Sequence, residues 1–291
     1  PLFGVVIFKK NIGRSTIILI ANGLKTMNQA DPPRNAHFYE KQQSDLRTQL
    51  QKLVKNDHVW AMKLSTEDAG MPFSDLRERY RLFGDLVPLQ LKIGGPEARN
   101  DIRNGAKIGC QALIAPMVES PYGLKNFINA SRDVLGKKAL QTIDLQINIE
   151  TRTGAENIEQ ILELHQTKLL SQITVGRHDL CRSMGLKPNK QAVLQSVESI
   201  VREAKKHQIR TSVGGRITPG DAKLIAEQIQ PDKINTREIG FHVKNPTQAE
   251  KTVRQILNFE KELLEYERAY YRNEDERLSQ RIEKLQGRKN R

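Results

Sequence analysis

The sequence predicts an α/β fold, a (β/α)8 TIM-type barrel with a long C-terminal helix. Three features carry that expectation. From His58 onwards, short β-prone apolar runs alternate with longer amphipathic ones, the pattern of repeated β-α units. Acidic side chains stand at the ends of two of those runs. The last part of the chain then changes to an apolar heptad repeat. At 291 residues the chain exceeds the roughly 250 that such a barrel needs.

Strands are expected at 58–65, 88–93, 110–116, 143–149, 172–176, 209–213 and 233–239. An eighth comes from the N-terminal region as an atypical first strand, comes from the stretch after Gly240, or is lacking. An open doubly wound sheet is the alternative fold. Ser120 followed by Pro121 marks a helix start and Gly136 its end. Another helix, 191–205, places Val193, Leu194, Val197, Ile200, Val201 and Ala204 on one face, which suits it to cover a sheet. Asn245 as N-cap and Pro246 at the first helical position open the C-terminal helix. There Leu257, Leu264, Tyr271, Leu278 and Leu285 recur every seven residues. Unbroken to Arg291, this helix is about 70 Å long and leaves a stripe for a second subunit, so a homo-oligomer is expected. The alternative is a solvated charged tail beyond about Asn273. The domain organisation is thus 1–57 as extension and leading helix, 58–245 as barrel, and 246–291 as C-terminal helix.

Composition narrows the function classes. Hydrophobic residues make up 37% and charged residues 28%, and no apolar run nears the roughly 18 residues that span a bilayer. The formal charge of +13 is spread along the chain and only 5% of residues are aromatic, which disfavours nucleic acid and suits an enzyme that attracts anionic substrates. Cys110 and Cys181 show no CxxC spacing, so a reduced, cytoplasmic protein is expected. In the first 26 residues two apolar runs are separated by Lys9, Lys10 and Arg14, and no function is expected there. Phosphate-binding P-loops, dinucleotide fingerprints, the Gly-x-Ser-x-Gly elbow and zinc-type histidine pairs are all missing from the sequence.

The acidic strand ends are the main chemical signal. Glu150 closes Leu145-Gln146-Ile147-Asn148-Ile149, and Asp179 follows Val175-Gly176-Arg177-His178. On consecutive strands both stand at the C-terminal face of a barrel, where this fold keeps its active sites. Two hard carboxylates suit Mg²⁺ or Mn²⁺, with positions left for water and a bidentate ligand. Equally, each carboxylate can cap a helix or pair with Arg152 or Arg177. Lys92 ends a strand before Gly94-Gly95, and Lys63 precedes Glu67 and Asp68. Gly214-Gly215 followed by Arg216 is either an anion-binding turn or a plain loop.

Four ordered blocks go further: Lys-Ile-Gly-Gly-Pro-Glu-Ala at 92–98, Ala-Pro-Met-Val-Glu-Ser at 115–120, Ile-Asn-Ile-Glu-Thr at 147–151 and Val-Gly-Arg-His-Asp-Leu at 175–180. Their order and spacing resemble the phosphoenolpyruvate-mutase-like barrels that include class II 2-oxo acid aldolases and citrate lyase β-subunits. The resemblance runs from about His58 to Phe241. It implies that Glu150 and Asp179 hold the metal, and that a 2-oxo acid is cleaved or formed through an enolate stabilised by the cation and Lys92. Lys92 stands where typical members carry an arginine, and Asp68 where aldolases have a histidine base. A carboxylate such as Glu67 or Asp68, or a water on the cation, then removes the hydroxyl proton. Asn148, Gly176, Arg177, Arg182, Gly214 and Gly215 are the expected substrate contacts, and Lys63 joins the catalytic set. Two rival functions share this barrel: an acyl-CoA lyase or thioesterase, and a non-catalytic assembly or binding protein.

Overall fold

The computed structural model describes residues 6–12, 15–21, 36–270 and 276–289. The chain forms two units, Pro1–Lys41 and Gln42–Arg291. In the first, β1 (Val6–Ile12) and β2 (Ser15–Ala21) form an antiparallel ribbon. Helix α1 (Ala36–Asp57) leads into the barrel.

The barrel elements alternate between strand and helix along most of the chain. They are β3 (Val59–Ser65), α2 (Phe73–Phe83), β4 (Leu89–Lys92), α3 (Arg99–Ile108), β5 (Ala112–Ala115) and α4 (Pro121–Ala139). Next come β6 (Asp144–Ile149), the short helices α5 (Arg152–Glu156) and α6 (Ile158–Leu162), β7 (Leu170–Gly176), α7 (Arg177–Ser183) and α8 (Gln191–Lys206). The unit ends with β8 (Arg210–Gly214), α9 (Pro219–Gln228), β9 (Lys233–Asn235), β10 (Ile239–His242), α10 (Pro246–Tyr270) and α11 (Glu276–Lys289). Eight of the strands close into a barrel in the order β10-β3-β4-β5-β6-β7-β8-β9.

The expected helix signals operate as read. Ser120 accepts the Gly123 amide at the start of α4, and Asn245 accepts the Gln248 amide (2.8 Å) at the start of α10. Gly136, at φ 74°, breaks the helical path of α4 before its last turn. All six apolar residues read on the face of α8 are buried.

Period-two alternation sorts the barrel strands into two faces. Leu89, Leu91, Leu145, Ile147, Ile149, Ile173, Val175 and Val213 are buried. The intervening positions carry polar side chains that meet one another across the barrel. Gln172 donates to Gln146 (3.2 Å), and the Lys233 ammonium donates to Gln172 (3.0 Å) while lying 3.3 Å from the Trp60 ring centroid. Burial and the nearby Arg210 lower the Lys233 ammonium to about 8. The apolar core therefore lies between sheet and helices, and the barrel axis is polar.

Two expectations are corrected. The stretch 233–239 is not one strand: Thr236, Arg237 and Glu238 turn the chain, so β10 runs antiparallel to both β9 and β3. Thr236 pins this turn, its amide and hydroxyl both donating to the Ile239 carbonyl (2.9 and 3.0 Å). The irregular strand is thus the last, spanning Gly240, whereas the first, β3, pairs in parallel with β4.

The C-terminal stretch is two helices, not one 70 Å rod. Leu257, Leu264 and Leu285 of the heptad stripe, with Ile256 and Leu263, are buried within the chain, which removes the reason the stripe gave for a second subunit. Tyr271 and Leu278 lie outside the residues whose side chains are described. Helix α10 packs along α9, touches α2, where Phe259 meets Phe83 edge-on (6.2 Å, 75°), and bonds α1, where Gln43 donates to the Tyr266 hydroxyl (2.7 Å).

A buried ionic knot joins these layers. Arg79 of α2, 1% exposed, donates to Glu267 of α10 and lies 3.3 Å from Glu238 in the β9–β10 turn. Arg281 of α11 pairs with the same Glu238. Removing one partner of such a cluster strands buried charge. Arg79→Leu is expected to cost about 3–5 kcal/mol of unfolding free energy, read from urea denaturation; a loss below about 1 kcal/mol would show the knot to be dispensable.

Candidate active site

A cavity of about 380 Å³ opens at the C-terminal ends of the strands. Lys63, Glu67, Asp68, Lys92, Asn148 and Glu150 line one part of it. Gly176, Asp179, Arg182, Gly214 and Gly215 line another. Eleven of the twelve residues expected from the sequence therefore share one space.

Arg177 does not join them. It is 1% exposed and turned away from the cavity, donating to Asn189 (2.6 Å) and pairing with Asp221 (2.9 Å). Asp221 in turn forms the capping box of α9 with Thr218. Arg177 thus ties the start of α7 to the start of α9, a structural role that sequence position could not separate from ligand contact. Gly94 and Gly95 also lie outside the cavity lining; the Gly94 amide donates to Asp101 (2.8 Å) and closes the β4–α3 turn.

Glu150 is the most constrained carboxylate of the site, 2% exposed just beyond β6. Its oxygens accept from the Met117 amide (3.1 Å) and the Asn148 side chain (3.2 Å), and one lies 3.6 Å from the Lys92 ammonium. Neither Arg152 nor Arg177 pairs with it. Met117 holds φ 51°, a strained left-handed conformation that follows β5 and presents its amide to Glu150. The side chain is backed by Gly176 on the next strand. A methyl group there would stand 2.5 Å from Glu150 Oε2, so only glycine admits the carboxylate at this position.

Lys92 bridges two carboxylates, 2.8 Å from Glu67 and 3.6 Å from Glu150. Burial works against its charge, but Glu150 and Glu67 outweigh it and raise the ammonium above its usual range. Lys63 is shifted the other way, because burial and the Lys92 charge both lower it. Asp68 lies 3.2 Å from Arg237 and accepts from the Ser65 hydroxyl (2.7 Å). Burial opposes its ionisation, yet Arg237, Lys63 and Ser65 hold the carboxyl down at about 2.

Several lining residues escaped the sequence reading: Thr174, His178, Asn235, Thr236, Arg237 and, from α11, Gln280, Arg281, Lys284 and Arg288. The polar run Asn-Thr-Arg-Glu at 235–238 inside an expected strand was the available signal for the turn. For α11 it was the spacing of Arg281, Lys284 and Arg288, which puts three cations on one helix face. Cys110 and Cys181 are free and buried, and burial pushes the Cys110 thiol up to about 12.

Among the described residues no group of three or more His, Cys, Asp or Glu side chains is gathered as a cage. Two carboxylates, Glu150 and Asp179, face one polar cavity. That set is too small for a closed protein-only site and suits Mg²⁺ or Mn²⁺, which keep water and substrate in their remaining positions.

Two outcomes are expected. Gly176→Ala forces Glu150 out of place and costs about 1–3 kcal/mol, whereas Gly214→Ala, whose nearest neighbour is at 3.4 Å, costs less than about 1 kcal/mol; equal losses in urea denaturation would contradict the close approach. The depressed Asp68 carboxyl contributes stability above its unfolded value near 4, and that contribution is lost as pH falls through about 2. The group is half-exposed, so screening keeps the contribution within about 1 kcal/mol. The stability gap between wild type and Asp68→Asn should be open at pH 6 and closed near pH 2; a gap independent of pH would overturn this assignment.

Residues 94–214 match the family model described as HpcH/HpaI aldolase/citrate lyase, a segment that contains both Glu150 and Asp179. No curated protein compared with the sequence matches it. Among solved structures, an HpcH/HpaI aldolase from Desulfitobacterium hafniense DCB-2 is 14% identical with a TM-score of 0.54, over 67% of this chain and 81% of that one. An HpcH/HpaI aldolase/citrate lyase family protein from Burkholderia cenocepacia J2315 gives 13%, 0.54, 68% and 83%. Citrate synthase SbnG gives 18%, 0.51, 64% and 89%. At these identities the structures bear on the fold alone, and they share the barrel. No described helix is long and apolar enough to cross a membrane. The chain therefore resembles the HpcH/HpaI aldolase/citrate lyase family through the segment that carries both strand-end carboxylates.

Proposed function

We propose that the protein is a divalent-metal-dependent carbon–carbon lyase of aldolase type acting on a 2-oxo acid. The observation that carries this reading is Glu150, buried on Gly176 and held by Lys92, Asn148 and the Met117 amide, facing the same cavity as Asp179. Glu150 and Asp179 would hold Mg²⁺ or Mn²⁺, which supplies Lewis-acid polarisation of the keto group.

The chain's own residues do the rest. Lys92, kept charged by two carboxylates, stabilises negative charge that develops on the keto oxygen as the carbon–carbon bond breaks. As a point charge it requires less exact orientation than a guanidinium fork and gives less directional hold. Arg182, exposed at the cavity rim, binds the substrate carboxylate. Asn148, which also lines the cavity, donates to Glu150 and fixes it. Asp68, held at about 2 and paired with Arg237, has too little proton affinity to serve as the base. Glu67, 2.8 Å from Lys92 and open to the cavity, takes the hydroxyl proton in the cleavage direction.

Mn²⁺ titration calorimetry with and without oxalate, on wild type and Glu150→Gln, tests the reading. Binding tightened at least tenfold by oxalate and lost in the variant is expected, with pyruvate release from 4-hydroxy-2-oxo acids falling at least 100-fold in Glu67→Gln. Absence of Mn²⁺ binding in the wild type would overturn it in favour of a non-catalytic barrel.

A further inference from the structure

The charge of the cavity exceeds what a 2-oxo acid requires. Among the described residues eight lysines and arginines line it against four carboxylates. Three of those carboxylates are already engaged: Glu67 and Glu150 with Lys92, and Asp68 with Arg237. A divalent cation would add to the positive excess, and a single substrate carboxylate removes one charge. The surplus is not scattered. Helix α11 alone contributes three of the eight, Arg281, Lys284 and Arg288, and Arg288 lies within electrostatic range of Arg216 in the turn after β8.

Four features show that this group of cations is built and not a solvated fringe. Arg281 is anchored by the buried Glu238, and the neighbouring apolar face of α11, Ile282 and Leu285, is buried at 5% and 2% exposure. Arg288 is largely shielded, and burial lowers its affinity for a proton despite the nearby Glu260. The Nε atoms of Arg281 and Arg237 are buried and have no hydrogen-bond acceptor. Arg216 holds φ 51° directly after Gly215 at φ 98°, a left-handed pair that keeps this turn close to the N-terminal end of α7. Lys284 and Arg216 themselves are exposed cations with no ion pair to a described residue.

We infer that Arg281, Lys284 and Arg288 of α11, with Arg216, form a second subsite that binds a phosphate monoester, so that the ligand carries a phosphate as well as the group bound at Glu150 and Asp179. Several guanidinium groups together with an ammonium match a phosphate dianion better than a single carboxylate. The inference deepens the function proposed above and rests on it only for where the reaction occurs. The phosphate belongs either to a small phosphorylated substrate or to a coenzyme A thioester, and the phosphate ester is common to both.

The test uses the full chain in a chloride buffer of constant ionic strength. Calorimetric titration with inorganic phosphate, and with acetate as the carboxylate probe, is run on wild type, Lys284→Gln and Arg216→Gln, with circular dichroism to verify folding. Phosphate is expected to bind at least tenfold more tightly than acetate and to lose at least fivefold in each variant. Lys284 is exposed, so Lys284→Gln is expected to keep the fold and decides the matter if Arg216→Gln does not fold. Displacement of phosphate by glycerol 3-phosphate supports the subsite and points to a small phosphorylated substrate; displacement by coenzyme A alone supports it and points to a thioester. No phosphate binding, acetate bound as tightly, or an unchanged Lys284→Gln would overturn the inference. Mn²⁺ and oxalate titrated into the same samples read the other subsite separately, so failure of the proposed lyase chemistry is distinguished from failure of the phosphate subsite.

Discussion

Glu238 has almost no access to water, and its burial is the constraint on which the upper part of the molecule depends. A lone carboxylate there would be protonated or would unfold its surroundings. Burial does oppose its charge, but Arg281, Arg79 and Arg237 outweigh it and hold the carboxyl below its usual range. Each of those guanidiniums comes from a different element: α11, α2 and the β9–β10 turn itself. The main chain at the same residue accepts from the Lys63 amide (2.6 Å) on β3. One buried charge thereby fixes the closing turn of the barrel, an outer helix and the last helix relative to a strand of the site.

The strands that build the site were readable because their two faces differ in chemistry. Leu-Gln-Ile-Asn-Ile-Glu along β6 alternates without exception, and its polar set leads along the barrel axis to Glu150. The capping residues of α4 and α10 were equally direct, since a side-chain acceptor followed by proline leaves little choice of helix start. The turn at 236–238 was hidden for the opposite reason. It contains neither glycine nor proline, and Thr236 closes it with hydrogen bonds that no composition rule detects. Arg177 and Arg182 lie five residues apart on α7, so their opposite roles depend on which partner each meets in three dimensions. The role of α11 was concealed by its apolar repeat, which accounts for Leu285 but carries no information on the cations beside it.

Electrostatics divides the cavity into two regimes. Around Lys92 the charges are paired at 2.8 and 3.6 Å and largely shielded from water, so local interactions are strong and compensated. Towards α11, Lys284 and Arg216 are exposed and have no ion pair to a described residue, which extends a positive potential outward from the barrel end. An anionic ligand therefore meets the exposed Arg182, Arg216 and Lys284 before it meets Glu150, which is buried beside Lys92. That order lets a cavity lined by four carboxylates accept an anion.

The reversal of β10 sets the end of the barrel at which α10 begins. The other barrel strands deliver the chain to the C-terminal face, whereas β10 returns it to the opposite end, from which α10 climbs the side of the barrel through 25 residues, about 37 Å. Helix α11 then brings Arg281 to the buried Glu238 and Lys284 and Arg288 to the cavity. The buried carboxylate of the cavity and these cations are accordingly encoded in separable parts of the chain: the end of a barrel strand for the one, the last helix for the other.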